Sequence, residues 1–204
     1  MTIIEVFADI WCPFAHVGIT TAFHERELRH RSDVGIVVRS WPLELVNGAP
    51  VDAVKTARNV EALREQVAKS LFTDFDPGDF PTTTIPALRL ASAAYQSSMD
   101  VGERVSLALR HALFEEGRNI AKSEVLDDIA VHHGLESPST MDDDCTLTDW
   151  HEGRARGVKG SPHYFAGNFN VFCPTLDIAR DEQGALHLRR TREQLATFLD
   201  ESLA

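Results

Sequence analysis

Cys12 is the residue whose type and position point most directly to chemistry. Residues 3–7 are almost continuously apolar and rich in β-branched and aromatic side chains, as in a strand buried on both faces. Pro13 suits the first turn of a helix, and the residues up to Leu28 have helical spacing. Unpaired N–H groups and the positive end of the helix dipole stabilise a thiolate at such a junction. We therefore expect a reactive Cys12 with a lowered pKa; the alternative is a small buried cysteine packed beneath the sheet.

The composition is that of an acidic globular protein. The 204 residues are 43% hydrophobic and 25% charged, which fits one domain, or one domain with a large insertion. The formal net charge of −11 comes from 20 Lys and Arg against 31 Asp and Glu. This balance argues against nonspecific binding to nucleic acid. No apolar run in the sequence approaches the length that spans a bilayer, so we expect no membrane partner.

The cysteines favour a reducing compartment. Cys12, Cys145 and Cys173 are too few and too scattered for a disulfide framework. The fold is expected to begin at residue 2 or 3, with no secretory signal before the first strand. We therefore expect a cytoplasmic protein. Cys145 stands beside three Asp residues that disfavour its thiolate, so it is expected to be inert.

The chain opens as a β-α-β unit and continues as a helical insertion. Residues 34–41 are β-branched and mostly apolar, which indicates a second strand after the first helix. A connecting helix of this kind implies parallel strands with a right-handed crossover. From residue 50 to residue 156 the pattern is helical. We predict a sheet domain of residues 1–49 and 157–204, with residues 50–156 inserted as a helical subdomain.

Caps and breakers predict the remaining elements. Helices are expected at residues 51–71, 87–98, 102–116, 123–132 and 147–156. Gly167-Asn168 is a two-residue turn signal, which predicts a hairpin of residues 163–166 and 169–172. A short strand is expected at residues 185–188, and Thr191 with Gln194 forms a capping box for a last helix.

Three stretches in this order resemble the DsbA family of thioredoxin-like proteins. The first is Trp11-Cys12-Pro13-Phe14-Ala15, which is similar to the Cys-Pro-x-Cys motif of that family. The second is residues 114–120, with Val125-Leu126 and Gly134-Leu135, which resemble the insertion of the cytoplasmic, FrnE-like branch. The third, residues 157–162, is similar to the loop before the family's cis-proline. This branch is close to 2-hydroxychromene-2-carboxylate isomerases and kappa-class glutathione transferases.

The resemblance implies a fold and a site. The fold is an α/β thioredoxin-like fold with a large helical insertion, and the activity is thiol–disulfide exchange with Cys12 as nucleophile. The Ser161–Pro162 bond is implied to be cis, with the Ser161 backbone facing the thiol and pairing with a bound peptide or thiol cofactor. The alternative is an ordinary trans proline that opens a strand. Ser161 stands where Val or Thr is expected, and its hydroxyl can donate to a nearby thiolate.

Ala15 departs from the family motif, because it stands where the second thiol is expected. The usual dithiol resolves a mixed disulfide with that second thiol, and this chain cannot do so locally. Three options remain open. In the first, Cys12 works as a monothiol, and glutathione or mycothiol resolves its mixed disulfide. In the second, Cys173 resolves that disulfide. In the third, Cys12 anchors a thiol or substrate without redox chemistry. Cys173 also reads as a packed core residue at a strand end, and we expect no tightly bound cofactor.

Further residues are candidates for contact with the substrate or thiol. Pro13, Phe14, His16, Ser161, Pro162 and His163 form the expected binding set. His16, in the first helical turn, can hydrogen-bond the thiolate, and a packing role is the alternative. His163 is a candidate for lining the pocket. Three cations before Pro162 can receive a carboxylate or complement a helix end; they are Arg154, Arg156 and Lys159.

Three functions follow from these features. The first is a cytoplasmic thiol–disulfide oxidoreductase acting on a small-molecule or protein disulfide. The second is a thiol-cofactor-dependent isomerase or transferase, and the third is a non-catalytic thioredoxin-fold binding module. A Cys12 pKa at or above its ordinary value favours the third. The oligomeric state is left open, a homodimer included.

Overall fold

The structure, a computed structural model, describes residues 2–137 and 144–202. Its strands are β1 (Thr2–Ala8), β2 (Val34–Ser40), β3 (His163–Ala166), β4 (Phe169–Phe172), β5 (Leu176–Arg180) and β6 (Leu186–Arg190). Its helices are α1 (Pro13–Leu28), α2 (Leu43–Asn47), α3 (Ala53–Gln66), α4 (Ile85–Ser97), α5 (Met99–Phe114), α6 (Ser123–His132), α7 (Asp144–Ala155) and α8 (Arg192–Ser202). A short 3₁₀ turn covers Pro77–Asp79.

A four-stranded sheet in the order β2-β1-β3-β4 positions the site. Strands β1 and β2 are parallel, as the β-α-β pattern predicts, and β3 and β4 add to them antiparallel. The predicted hairpin is confirmed, and Gly167 takes the positive φ of +57° that its turn requires. Strands β5 and β6 form a separate hairpin. The sequence does not predict β5, which is five residues long and has four exposed side chains.

Side chains of β1 alternate between two layers. Ile4, Val6 and Ala8 pack with buried residues of α1 and α8. Phe7 packs on the other face with Trp41 and Phe165, against Trp150 of α7. Since β1 lies between helical layers, both of its faces are buried, which explains its continuous apolar sequence.

The helices between β2 and β3 share a core of their own. Buried residues of α3, α4, α5 and α6 form one cluster, which also includes Ile10 and Trp11 after β1 and Val17 of α1. The end of β1 and the start of α1 therefore lie where this helical core meets the sheet. The division at residues 50 and 156 into two domains stays a prediction. Across the described residues, no helix has the length and apolar character needed to cross a membrane.

Candidate active site

Cys12 lies at the junction that the sequence predicts. β1 ends at Ala8, and α1 begins at Pro13, which needs no hydrogen-bond partner for its nitrogen. Cys12 itself is the N-cap residue, in an extended conformation with φ −82° and ψ 110°. Its carbonyl accepts the first helical hydrogen bond from the N–H of His16, at 3.0 Å. The sulfur is therefore next to the free N–H groups of the first helical turn.

The cysteine sulfur contacts the loop before β3. The Cys12 thiol donates to the carbonyl oxygen of Ser161 at 3.2 Å. The Ser161–Pro162 peptide bond is cis. The Ser161 hydroxyl oxygen accepts the backbone N–H of Asp9 at 2.9 Å, which leaves the hydroxyl hydrogen free to donate elsewhere. The end of β1, the start of α1 and the proline loop thus meet at one sulfur.

The electrostatics of Cys12 differ from the expectation. Burial is the largest influence and raises the pKa of the thiol. The residue as a whole is 7% exposed. Hydrogen bonds from Ser161 and from the backbone of Ala15 lower the pKa, and the negative charge of Asp9 raises it. The prediction of a lowered pKa is therefore wrong in direction for this structure. The helix start is present as predicted, but the loss of hydration outweighs it.

The rest of the four-residue motif packs inward. Ala15 is 0% exposed, so the position of the missing second thiol lies in the core beside Cys12. Pro13 is buried, and the half-buried Phe14 contacts both the sheet cluster and the helical cluster. Phe14 is thus the partly exposed side chain of the motif, and its binding role stays a prediction.

Cys173 lies close to the same loop. Its backbone N–H donates to the carbonyl of Pro162 at 3.0 Å, and its φ of +48° lies in the left-handed region. Burial raises the pKa of its thiol to about 12, and the charge of Cys12 adds to this shift. All three cysteines are free. Cys173 therefore lies beside the proline loop that Cys12 also contacts, and its thiol is buried, unbonded and protonated.

Cys145 lies elsewhere, on α7. Its sulfur accepts a hydrogen bond from the side-chain amide of Gln96 at 2.6 Å. It lines a surface cleft with Arg39 and Tyr95. Of the three neighbouring Asp residues, Asp142 and Asp143 fall outside the described residues, as does the side chain of Asp144.

His16 turns to a partner in the helical insertion. Its Nε2 lies 2.6 Å from Oε1 of Glu115, and its ring contacts Phe72 and Phe114. Burial lowers the pKa of the imidazole. Nδ1 has no hydrogen-bond partner among the described residues. Neither ring nitrogen bonds the Cys12 sulfur, and a binding role for His16 stays a prediction.

His163 is held by its own neighbours. Nδ1 accepts the backbone N–H of Lys159 at 3.1 Å, and Nε2 lies 3.1 Å from the side-chain oxygen of Asn170. The ring is therefore neutral, with its proton on Nε2 directed at Asn170. Burial lowers the pKa of His163 accordingly. Both nitrogens are occupied, and its pocket-lining role stays a prediction.

The cations before Pro162 are partly engaged. Arg156 pairs with Glu5 at 2.7 Å and with Glu152 at 3.1 Å. Arg154 stacks over the ring of Trp150, with its guanidinium carbon 5.1 Å from the ring centre. Arg154 and Arg156 are thus engaged by neighbouring side chains, and both the carboxylate-binding role and the helix-end role of the three cations stay predictions.

Sequence reasoning missed two residues of the site, Asp9 and Arg110. Asp9 counts in the sequence only as a break in the first strand, yet it is fully buried beside Cys12. Arg110 is also buried, and it donates to the Asp9 carbonyl at 3.0 Å. A signal existed for Arg110, because it stands three residues before Leu113, at a helical spacing where an apolar residue is normal.

The sheet order, the cysteine at the start of α1 and the cis proline beside it define a thioredoxin-like protein with a helical insertion. Residues 3–178 match the DSBA-like thioredoxin domain. The chain belongs to that family. A comparison with curated proteins finds no match.

Solved structures share the fold at low sequence identity. A probable DsbA oxidoreductase from Streptomyces coelicolor has a TM-score of 0.66 at 22% identity, over 84% of this chain and 83% of that one. The cytosolic disulfide reductase DsbM from Pseudomonas aeruginosa, also solved with GSH, has a TM-score of 0.62 at 15% identity, over 98% of each chain. A 2-hydroxychromene-2-carboxylate isomerase has a TM-score of 0.58 at 12% identity, over 83% of this chain and 88% of that one. At these identities, the likeness shows the fold alone.

Proposed function

We propose that this protein is a thiol–disulfide oxidoreductase of the FrnE-like type that uses Cys12 as its single reactive thiol. The contact between the Cys12 sulfur and the Ser161 carbonyl, at 3.2 Å beside a cis proline, carries the proposal. A disulfide that approached this sulfur would meet the start of α1 and the proline loop together. Membership in the DSBA-like family supports redox chemistry at this position.

The proposed reaction proceeds through mixed disulfides. The Cys12 thiolate attacks one sulfur of a substrate disulfide, a new S–S bond forms, and the other substrate sulfur leaves as a thiolate. A low-molecular-weight thiolate then attacks the Cys12 sulfur of the mixed disulfide, which forms a disulfide between Cys12 and the small thiol and releases the second substrate sulfur as a thiolate. A second molecule of that thiol restores Cys12 and leaves as its own disulfide. The substrate disulfide is reduced to two thiols, and two molecules of the small thiol are oxidised to one disulfide.

A small thiol such as glutathione or mycothiol is proposed as the resolving group. Ala15 has no thiol, and Cys173 has its pKa raised to about 12 by burial, so it is a poor internal nucleophile. The similar fold of DsbM, which was solved with GSH, supports this choice. A reducing cytoplasmic setting is proposed with it, in keeping with the three free cysteines.

The raised pKa of Cys12 gives the proposal a kinetic signature. Because the thiolate is the nucleophile, its population at neutral pH is small. The reaction should therefore become faster as the pH rises above neutral, until Cys12 is fully ionised. Alkylation of Cys12 by iodoacetamide separates this increase from the ionisation of glutathione, because in that reaction an enzyme with a lowered cysteine pKa would show no such increase.

The test uses reduction of bis(2-hydroxyethyl) disulfide by glutathione. Cys12→Ser should abolish turnover, and Cys173→Ser should retain it. Cys145→Ser, which changes a thiol on α7, is the matched control. Full activity in Cys12→Ser would contradict the proposal. Loss of activity in Cys173→Ser, with its fold intact, would instead favour Cys173 as the resolving thiol.

A second candidate is a thiol-cofactor-dependent isomerase or transferase. The observation that favours it is the same raised pKa, because a neutral thiol at Cys12 can orient a bound thiol by hydrogen bonding without forming a disulfide. The fold similarity to 2-hydroxychromene-2-carboxylate isomerase is consistent with it. Turnover that survives Cys12→Ser favours this candidate. A binding module without catalysis, which the raised pKa also favours, would bind glutathione without turnover.

A further inference from the structure

A carboxylate and a guanidinium are buried together behind Cys12. Asp9 is 0% exposed and Arg110 is 1% exposed. Nη1 of Arg110, which projects from α5, donates to the carbonyl oxygen of Asp9 at 3.0 Å. Burying charges is costly unless they interact with one another or with polar partners. This pair therefore needs an explanation beyond packing.

The pair is connected to the reactive sulfur through Ser161. The backbone N–H of Asp9 donates to the Ser161 hydroxyl oxygen at 2.9 Å, while the Cys12 thiol donates to the Ser161 carbonyl oxygen at 3.2 Å. The three charges also act on one another. The Asp9 charge opposes ionisation of Cys12. Burial lowers the pKa of Arg110, and attraction to the charges of Asp9 and Cys12 opposes that shift.

Arg110 retains donors that Asp9 does not use. Its Nε and Nη2 have no hydrogen-bond partner among the described residues. The Asp9 carboxylate oxygens accept instead from the backbone N–H groups of Leu43, at 2.5 Å, and Trp11, at 3.4 Å. The guanidinium charge is thus not consumed by a bidentate ion pair, and it remains available to a second anion.

We propose that Arg110 is a positioning residue that supplies one buried positive charge, shared between the Asp9 carboxylate and the Cys12 thiolate. One cation can neutralise one of the two anions, so a charge on Asp9 opposes a charge on Cys12. This inference rests on the proposed function, because that function requires a thiolate at Cys12.

The other titratable groups around Arg110 are neutral near pH 7. Burial raises the pKa of Tyr95 and of Tyr164, and burial lowers the pKa of His16. Burial also raises the pKa of Asp9 to about 6, against hydrogen bonds led by that of Leu43 and against the smaller influence of the Arg110 charge. The charges that act on the thiol are therefore those of Asp9 and Arg110, in addition to the hydrogen bonds from Ser161 and Ala15.

The experiment measures the pH dependence of Cys12 alkylation by iodoacetamide in the full chain. Peptide mass spectrometry follows Cys12 separately from the other two cysteines. Arg110→Met should slow alkylation near neutral pH about tenfold, which corresponds to one unit of pKa. Arg110→Lys keeps the charge and should stay close to wild type. Asp9→Asn removes the competing anion and should accelerate alkylation about tenfold.

Arg104→Met is the matched control, since Arg104 lies on the same helix, is half exposed and pairs with Asp100. Equal rates in Arg110→Met and Arg104→Met would overturn the proposal. The proposal would also be overturned if alkylation of Cys12 slowed as much in Arg110→Lys as in Arg110→Met. That result would indicate lost structure and not lost charge. If Arg110→Met does not fold, Asp9→Asn alone decides. An alkylation rate in Asp9→Asn that is equal to or slower than that of wild type then overturns the proposal. Alkylation needs no turnover, so these outcomes are independent of whether disulfide reduction is observed.

Discussion

The sulfur of Cys12 lies 3.2 Å from the carbonyl oxygen of Ser161, across 149 positions of sequence. This contact joins the start of α1 to the loop before β3, and it brings the Ser161 side chain near the thiol. Hydrogen bonding from that side chain lowers the pKa of Cys12, in opposition to burial. Ser161 is therefore the residue through which the proline loop tunes the thiol.

Ser161→Ala should make Cys12 harder to ionise. The substitution removes the hydroxyl, so the pKa of Cys12 should rise further and alkylation at neutral pH should slow several-fold. The backbone N–H of Asp9 also loses its acceptor, which should cost about 1–3 kcal/mol of unfolding free energy. Cysteine titration and urea unfolding measure the two effects. Ser161→Thr, which keeps a hydroxyl, is the control, and a wild-type titration in Ser161→Ala would refute the role of the hydroxyl.

Ala15→Cys should restore the dithiol. Ala15 is buried next to Cys12, and its backbone N–H already acts on the Cys12 sulfur. A Cys-x-x-Cys arrangement at a helix start is the one that closes a local disulfide. The extra atom in a packed site should cost about 1–3 kcal/mol of stability.

After oxidation by glutathione disulfide, the intact mass of Ala15→Cys should be that of a protein with an internal disulfide. Ala15→Ser introduces a similar volume without a thiol and should show a mixed disulfide with glutathione at most. If Ala15→Cys gives the same products as Ala15→Ser, the start of α1 does not permit a disulfide between residues 12 and 15.

Gly18→Ala should separate α1 from the proline loop. An added Cβ would lie 3.1 Å from the Tyr164 hydroxyl, 3.3 Å from Cγ of Pro162 and 3.3 Å from the Thr175 hydroxyl. Alanine favours a helix over glycine by about 1 kcal/mol, whereas overpacking costs about 1–3 kcal/mol. Because all three neighbours are buried, we expect net destabilisation in urea unfolding. His24→Ala, at an exposed position of the same helix, should change stability little, and a Gly18→Ala protein as stable as wild type would contradict this packing.

Local patterns in the sequence were sufficient for most of the fold. The bounds of α1, α6 and the β3–β4 hairpin follow from a proline, a cap and a Gly-Asn turn, which act within a few residues. β5 is not predicted, because it is short and Leu176 is the one buried side chain among its five residues. The predicted helix of residues 51–71 ends earlier, at Gln66, where Val67 leaves helical geometry with φ −138° and ψ −19°.

The site was predictable in position but not in environment. The location of Cys12 depends on its neighbours in sequence, whereas its burial depends on distant elements, because residues of β2, β3 and α8 share its buried cluster. Sequence proximity to a helix start therefore predicted a lowered pKa, and tertiary burial reversed it. His16 likewise hydrogen-bonds Glu115, which lies 99 positions away in the sequence. No local pattern indicates this contact.

The pair of His16 and Glu115 should make stability fall in acid. Burial lowers the pKa of His16 from 6.5. Burial alone would raise the pKa of Glu115, but hydrogen bonds from His16 and from Phe72 and Thr73 lower it from 4.5 to about 2. In both cases the unfolded chain binds the proton more readily, so stability decreases as the pH falls.

The two contributions separate along the pH scale. The His16 contribution begins to be lost as the pH falls through 6.5. The Glu115 contribution is fully present above 4.5 and is lost as the pH falls from there toward about 2. Glu115→Gln keeps the shape of the side chain and removes the carboxylate. Its unfolding free energy should therefore not show the loss between pH 4.5 and about 2. Without the anionic partner that opposes the effect of burial, the pKa of His16 should fall further in Glu115→Gln. The variant should therefore lose stability more steeply as the pH falls through 6.5.

Urea unfolding at a series of pH values checks this prediction. Glu116→Gln is the matched control, because Glu116 is the next residue, is more exposed and pairs with His111 and Arg118. Its stability should follow the wild-type pH dependence within the error of the extrapolation. A plot of unfolding free energy against pH that runs parallel for Glu115→Gln and wild type below pH 4.5 would contradict this prediction. In that case the folded state does not lower the pKa of Glu115. The buried pair then does not stabilise the junction of α1 with the insertion.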